Sequence, residues 1–459
     1  MSLDAVLARI DADQSQALER LFELLRIPSI STDPAFSGDV ARAADWLAKD
    51  LVSLGFEASV RPTSGHPMVV GHVDGPGDGP HLLFYGHYDV QPVDPLDLWD
   101  RDPFDPQLQD TPHGKVIRAR GAVDDKGQLM TFLEALRAIR AETGGYPCRI
   151  TVFLEGEEES GSPSLIPFLK DNADELRADL ALICDTGLFA DGVPAIVTQL
   201  RGLLGEQITV TGPDVDLHSG LYGGMAMNPI RVLTKVLAGL HDDQGRVQVP
   251  GFYDGVEELP QTLVEQWKGL GFDEAAFLGA VGLSAPAGEA GRMGLEMLWS
   301  RPTAEINGIW GGYTGAGFKT VLPAKAQAKV SFRLVAGQDP HVLRDSFRAW
   351  VSDRMPADCE VSFAPHGASP ASRMDITHPA FEIARRALSD EWPGEAAFIG
   401  GGGSIPVAGY FKEYLGMDSL LAGFGKDDDA MHSPNEKYDL NSFHRGTRSW
   451  ARILHGIAG

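Results

Sequence analysis

In Gly86-His87-Tyr88-Asp89-Val90-Gln91-Pro92, an imidazole and a carboxylate stand two residues apart, directly after the apolar run Leu82-Leu83-Phe84-Tyr85. If that run is a buried strand, His87 and Asp89 emerge at its carboxyl end, where open α/β sheets keep their ligands. A strand puts residues i and i+2 on one face for many structural reasons, so the pair gains meaning only from its company. Downstream stand Asp124-Asp125-Lys126, Glu157-Glu158-Glu159, Asp185 and His432. Together they supply the imidazoles and carboxylates of a two-metal hydrolytic site. Borderline divalent ions take nitrogen and oxygen ligands, and two of them held close together need a bridging carboxylate.

Each candidate has a competing structural reading. Asp124 follows the loop Arg120-Gly121-Ala122-Val123 and is the natural bridge, yet Asp124-Asp125 opens a helix and could simply cap it and suit its dipole. The acidic triplet Glu157-Glu158-Glu159 could be a solvated face. It lies, however, just past the apolar run Ile150–Leu154, and crowded carboxylates are costly unless cations sit among them. Asp185 ends the next run, Leu180–Cys184. Strand ends thus direct acids or imidazoles toward one edge. Of the 13 histidines, His87, His218 and His432 stand apart, each in a short polar motif after an apolar segment. Their neighbours are Asp89, Asp216 and Asn435-Glu436.

The elements that carry these residues alternate between helix and strand. Leu18, Leu21, Phe22 and Leu25 have helical spacing that Pro28 ends, and Ala43, Ala44, Leu47, Leu51 and Leu54 continue the pattern. Apolar runs at Met68–Val70, Leu82–Tyr85, Ile150–Leu154 and Leu180–Cys184 read as buried strands, with a helix over Gly127–Arg140. This argues an α/β fold, a mainly parallel mixed sheet sandwiched by helices. From about residue 200 the strands alternate instead, as in Glu206–Val210 and Ala326–Leu334, and Asn228-Pro229 and Asp339-Pro340 each open a helix. A smaller α+β domain is therefore expected over 199–371, inserted between catalytic segments 1–198 and 372–459. The stretch Val249–Arg301 shows no regular period. Gly400–Gly403 reads as a tight loop that exposes its backbone.

At 459 residues the chain is long enough for two domains, and a net charge of −25 argues against nucleic acid or an anionic membrane as partner. No segment has 18 consecutive apolar residues, and the N-terminus lacks the features of a signal peptide. Three scattered cysteines fit a reducing, cytoplasmic setting.

The motifs GHYDVQP, RGAVDDKG, LEGEEESGS, DLHSGLYGG, KTVLP, SFRLV, GGSIP and MHSPNEK run in order along nearly the whole chain. The chain in these motifs resembles the di-zinc metallopeptidase family of aminoacylase, carboxypeptidase G, acetylornithine deacetylase and the carnosinases, most closely the cytosolic non-specific dipeptidase and carnosinase branch. The resemblance implies that His87 and Asp185 bind one metal, Glu159 and His432 the other, and that Asp124 bridges them. It implies Glu158 as general base and Asp89 as the residue that orients His87. Because the triplet also offers Glu157, a register one residue different stays open. The inserted domain would be a ferredoxin-like lid that also forms a homodimer. His218 would stabilise the oxyanion in the partner's site, Arg333 would bind the substrate carboxylate, and Thr320 and Ser404 would make further substrate contacts. Two divalent ions per subunit are implied, zinc first, with manganese or cobalt as alternatives.

The expected reaction is hydrolysis of an amide bond in a dipeptide or similar small substrate with a free carboxylate, by a metal-bridging hydroxide and a glutamate base. An N-acyl amino acid deacylase with the same site is the near alternative. A catalytically silent dimeric binding protein is the remote one.

Overall fold

The computed structural model describes residues 2–77, 79–403 and 405–459. The chain divides into two compact units. One comprises the chain up to Thr198 with Met374–Ile399 and Tyr410–Gly459; the other comprises Gln199–Arg373 with Gly400–Gly409.

The first unit is built on a mixed sheet. Its strands run in the order Glu57–Arg61, Met68–Val73, Arg149–Glu155, His81–His87, Leu180–Ile183, Ser419–Leu421 and Ala195–Leu200. Pairing is parallel from Arg149–Glu155 through His81–His87 and Leu180–Ile183 to Ser419–Leu421, and antiparallel toward Glu57–Arg61. The parallel strands are buried almost end to end because helices cover them, so their sequences are continuous apolar runs. The helix Lys126–Thr143 and the last helix, Leu440–Ala458, pack together in this layer. Phe84 stacks on Phe132 at 3.8 Å, and Trp450 meets Phe132 edge-on at 5.5 Å, so strand and both helices share one aromatic contact.

A small antiparallel sheet of Gln107–Thr111, Gly114–Arg118 and Lys437–Asp439 was not legible in the sequence. Its outer strand is polar and mostly exposed, so no apolar alternation marks it. It matters for the site, because pairing Lys437 with Arg118 ties the segment after His432 to the chain just before Asp124.

The inserted unit holds a four-stranded antiparallel sheet in the order Thr303–Gly311, Lys325–Leu334, Gly202–Thr211, Glu360–Ser369. In Lys325–Leu334 every second residue is buried, beneath the helices Pro229–Ala238 and Pro340–Ser352. The caps behave as their types dictate: Asn228 Oδ1 accepts the amide of Ile230 at 2.9 Å, and Asp339 Oδ1 that of His341 at 2.7 Å. Val249–Arg301, irregular by sequence, holds three short helices, Gln261–Gly269, Glu274–Gly279 and Gly294–Trp299. Each is too short to display a sustained helical period.

Candidate metal centre

The parallel strands end side by side, and their next residues bring the acids and imidazoles together. His87 closes its strand, Asp185 lies two residues beyond Leu180–Ile183, and Glu158–Ser160 forms a single 3-10 turn after Arg149–Glu155. His87 Nε2 lies 3.1 Å from Asp124 Oδ1 and 4.0 Å from Asp185 Oδ2. His432 Nε2 lies 2.9 Å from Asp124 Oδ2 and 3.3 Å from Glu159 Oε2. Asp124 thus turns one oxygen to each imidazole. In each of the groups His87–Asp124–Asp185 and Asp124–Glu159–His432, the candidate ligand atoms lie within 4.8 Å of one another. One imidazole nitrogen with carboxylate oxygens around it, twice over and with one carboxylate shared, is the donor set that a pair of borderline divalent ions takes.

The electrostatics fit a place for cations. Burial pushes the Asp185 carboxyl up to about 7, and Asp124 adds to the rise. Burial, with Asp185 and Glu159 and against the pull of His87, lifts Glu158 to about 8. Asp124 and Glu159 raise His432 to about 10. Burial opposes a charge on His87, yet Asp124 and Asp89 hold its proton well above the usual range. Both imidazoles therefore retain protons against this crowd of acids, and metal binding displaces such protons.

Supporting residues hold the array in place. Asp89 is fully buried, 3.4 Å from His87 Nδ1, and its two oxygens also accept the amides of Glu158 at 3.2 Å and Glu159 at 3.0 Å. It joins the histidine strand to the acidic turn. The triplet separates by partner: Glu157 accepts the amides of His66 at 2.6 Å and Ser164 at 2.9 Å, while Glu159 faces His432. Asp125 occupies the cap position of Lys126–Thr143 but makes no capping bond; it accepts the amide of His87 at 3.1 Å. The helix-cap reading of that residue is thereby corrected. Sequence reasoning also missed Gln91, which donates to Glu159 at 2.7 Å, and Glu436. Both lie inside the quoted motifs, but nothing in their spacing marks them. His432 has φ +56°, and Ala430 and Asn435 share the left-handed region, so this loop adopts a backbone that side chains disfavour.

Residues 83–456 match peptidase family M20/M25/M40. The chain belongs to this family. The Cys-Gly metallodipeptidase of Candida albicans is 30% identical to it, over 99% of this chain and 97% of the relative. The human Beta-Ala-His dipeptidase is 29% identical, over 99% of this chain and 93% of its own length. The solved structure of an M20 family metallo-carboxypeptidase from Sulfolobus solfataricus superposes with a TM-score of 0.84 at 30% identity, covering 96% of this chain and 99% of that one.

Three of the remaining candidates of this M20 chain belong to the inserted unit. His218 and Thr320 are neighbours: His218 pairs with Val321, and the Thr320 carbonyl accepts the amide of Ser219 at 3.0 Å. His218 is exposed, and its Nδ1 accepts the amide of Gly220 at 3.0 Å, which leaves the proton of the neutral ring on Nε2. Arg333 is half-buried on Lys325–Leu334, opposite Leu203 and Thr303. Nearby Arg201 donates to the carbonyl of Gly402 at 2.9 Å; burial and the Arg333 charge lower its ionisation to about 10. Ser404 lies outside the described residues.

Proposed function

We propose that this M20 chain is a metal-dependent dipeptidase, and that His87 and Asp185 hold one divalent ion, Glu159 and His432 a second, with Asp124 between them. The observation that carries the reading is the pair of histidine-carboxylate groups sharing Asp124. Zinc is the expected ion, since imidazole and carboxylate suit it; manganese or cobalt would fit the same donors. When bound, the ions supply Lewis acidity and a water that ionises near neutral pH.

The chain's own residues do the rest. Glu158 takes a proton from the attacking water and delivers it to the departing amine, its carboxyl held ionised by the neighbouring cations when they are bound. Asp89 keeps His87 and the Glu158–Glu159 turn in register. His218 donates from Nε2 to the developing oxyanion, and Arg333 takes the substrate carboxylate through its fork of donors, with Thr320 and Ser404 as further substrate contacts. The inserted segment 199–371 forms a homodimer in which His218 serves the partner's site. Exposed Leu221, Met225 and Phe318, at 77%, 91% and 91%, fit such an interface.

Full-length similarity to dipeptidases favours peptide over N-acyl substrates. Among the described residues no helix is long and apolar enough to cross a membrane, and all three cysteines are buried and unpaired, in keeping with a cytoplasmic setting. The test is one hydrolysis panel on metal-reconstituted protein: α-dipeptides including Cys-Gly, β-alanyl-histidine and N-acetyl amino acids, each repeated with chelator. Cleavage of dipeptides that stops on chelation is expected. Turnover untouched by complete metal removal, or confined to N-acetyl amino acids, would overturn the reading.

A further inference from the structure

Four residues after His432 lies Glu436, a carboxylate outside both ligand groups and fully buried. Its Oε2 accepts from Arg120 Nη1 at 2.7 Å and from the amide of Gly121 at 3.0 Å. Its Oε1 accepts the amides of Val123 at 2.9 Å and Asp124 at 3.2 Å. Every one of these donors comes from the loop that ends in Asp124. The loop itself is tight: Gly121 has φ +81°, and a side chain there would meet Val90 Cγ1 at 2.7 Å. On the other side Asn435 is fixed as well. Its Oδ1 accepts the amide of Asp100 at 2.9 Å, its Nδ2 donates to the carbonyl of Leu98 at 3.1 Å, and its carbonyl accepts from Arg118.

We propose that Glu436 is a positioning residue that makes the Asp124 loop and the His432 loop a single part, fixing the distance between the shared carboxylate and one imidazole. The proposal rests on the reading of Asp124 and His432 as metal ligands. Four donors converge on two oxygens, so both oxygens must accept. A glutamine would turn its NH₂ toward two of those donors and leave them unsatisfied. Metal ligands depend on such outer partners for their orientation, and losing one weakens metal binding by about 10–100-fold.

The test is zinc titration against a competing chelator, with thermal unfolding of the metal-free protein recorded alongside. The expected result is that Glu436→Gln weakens zinc binding by about 10–100-fold. Glu206→Gln, a destabilising change in the inserted unit, should leave zinc affinity within about threefold of the parent, since lowered stability alone does not disturb the ligands. If Glu436→Gln does not fold, Glu436→Asp is used, which keeps the charge but stops about 1.5 Å short of the amides; it carries the same expectation. A parent that binds two zinc ions beside a folded Glu436 variant of equal affinity overturns this role for Glu436 alone. A parent that binds no zinc overturns the ligand assignment itself.

Discussion

Carboxylates in this molecule are handled in two opposite ways. In the inserted unit Glu206 is fully buried within the sheet and is met by Arg344 at 2.7 Å and Arg348 at 3.0 Å, both from the helix Pro340–Ser352. A cluster in the first unit is treated alike: Lys437 lies among Asp428, Asp429 and Asp439 at 2.9, 2.6 and 3.1 Å. At the strand ends, by contrast, Asp89, Asp124, Glu159 and Asp185 form their ion pairs with histidines, and among the described residues none pairs with an arginine or lysine. Lys126, two residues after Asp124, turns its Nζ to the carbonyls of Ile27 and Leu24, at 2.7 and 3.3 Å. Acids neutralised from within the chain serve the fold. Acids whose partners are histidines can exchange those partners' protons for cations from outside, which makes them candidates for function.

Several measurements would break or sharpen this contrast. Exhaustive chelation should abolish dipeptide turnover and lower the melting temperature of the protein, since ions that bind only the folded state stabilise it; a melting temperature unmoved by zinc would erase the distinction between the two groups of acids. Glu158→Gln should reduce kcat by about 10²–10⁴ with both ions still bound, as expected for loss of a general base. Steady-state kinetics with metal analysis decides it, and near-normal turnover would reassign the base. His218→Ala should cost about 10²–10³ in kcat with metal content unchanged, the scale of a lost oxyanion donor. Glu206→Gln should leave two guanidiniums without their carboxylate and destabilise by about 2–3 kcal/mol, somewhat below the ~3–5 kcal/mol of a fully buried pair, because the Arg348 side chain keeps 30% exposure. Calorimetric unfolding would register this, with metal affinity untouched.

The same contrast explains what the sequence made legible. Polar residues after apolar runs imply strand ends, and parallel strands end on one edge, which brought His87, the triplet Glu157-Glu158-Glu159 and Asp185 together. The family resemblance, not the pattern, singled out Glu159 and joined Asp124 and His432 to them as ligands. The fold brings the candidate ligand atoms of His87, Asp124, Glu159, Asp185 and His432 within 4.8 Å in two groups. The roles of Asp125, Gln91 and Glu436, the first and last of which stood out only as neighbours of Asp124 and His432, were not readable because their work is local geometry. Asp125 and Glu436 hold backbone amides, and Glu436 does so across more than 300 residues of sequence. No periodicity encodes a carboxylate that finds amides so far away. The pairing of Lys437–Asp439 with Gly114–Arg118 was hidden for a related reason, since short, polar strands give neither continuous nor alternating hydrophobicity. In the inserted unit the alternation of Lys325–Leu334 and the caps Asn228 and Asp339 were readable, whereas the Glu206–Arg344–Arg348 pairing depends on which helix covers which strand.

The smallest expected effect is the most discriminating, because it has an unusual sign. Asp185 is grouped with Asp124 and His87 and feels the charges of both Asp124 and Glu159. In metal-free protein Asp185→Asn removes one negative charge from this crowd and replaces it with a neutral side chain of nearly the same shape. It should therefore raise stability by about 1 kcal/mol, a gain of roughly 2 °C in melting temperature for a unit of this size. With zinc present the order should reverse, because the variant lacks a ligand and gains less from the ion. Glu206→Gln should lower the melting temperature with and without zinc alike. If Asp185→Asn destabilises the metal-free chain as Glu206→Gln does, the strand-end acids are compensated within the protein after all, and the difference between the two regions disappears.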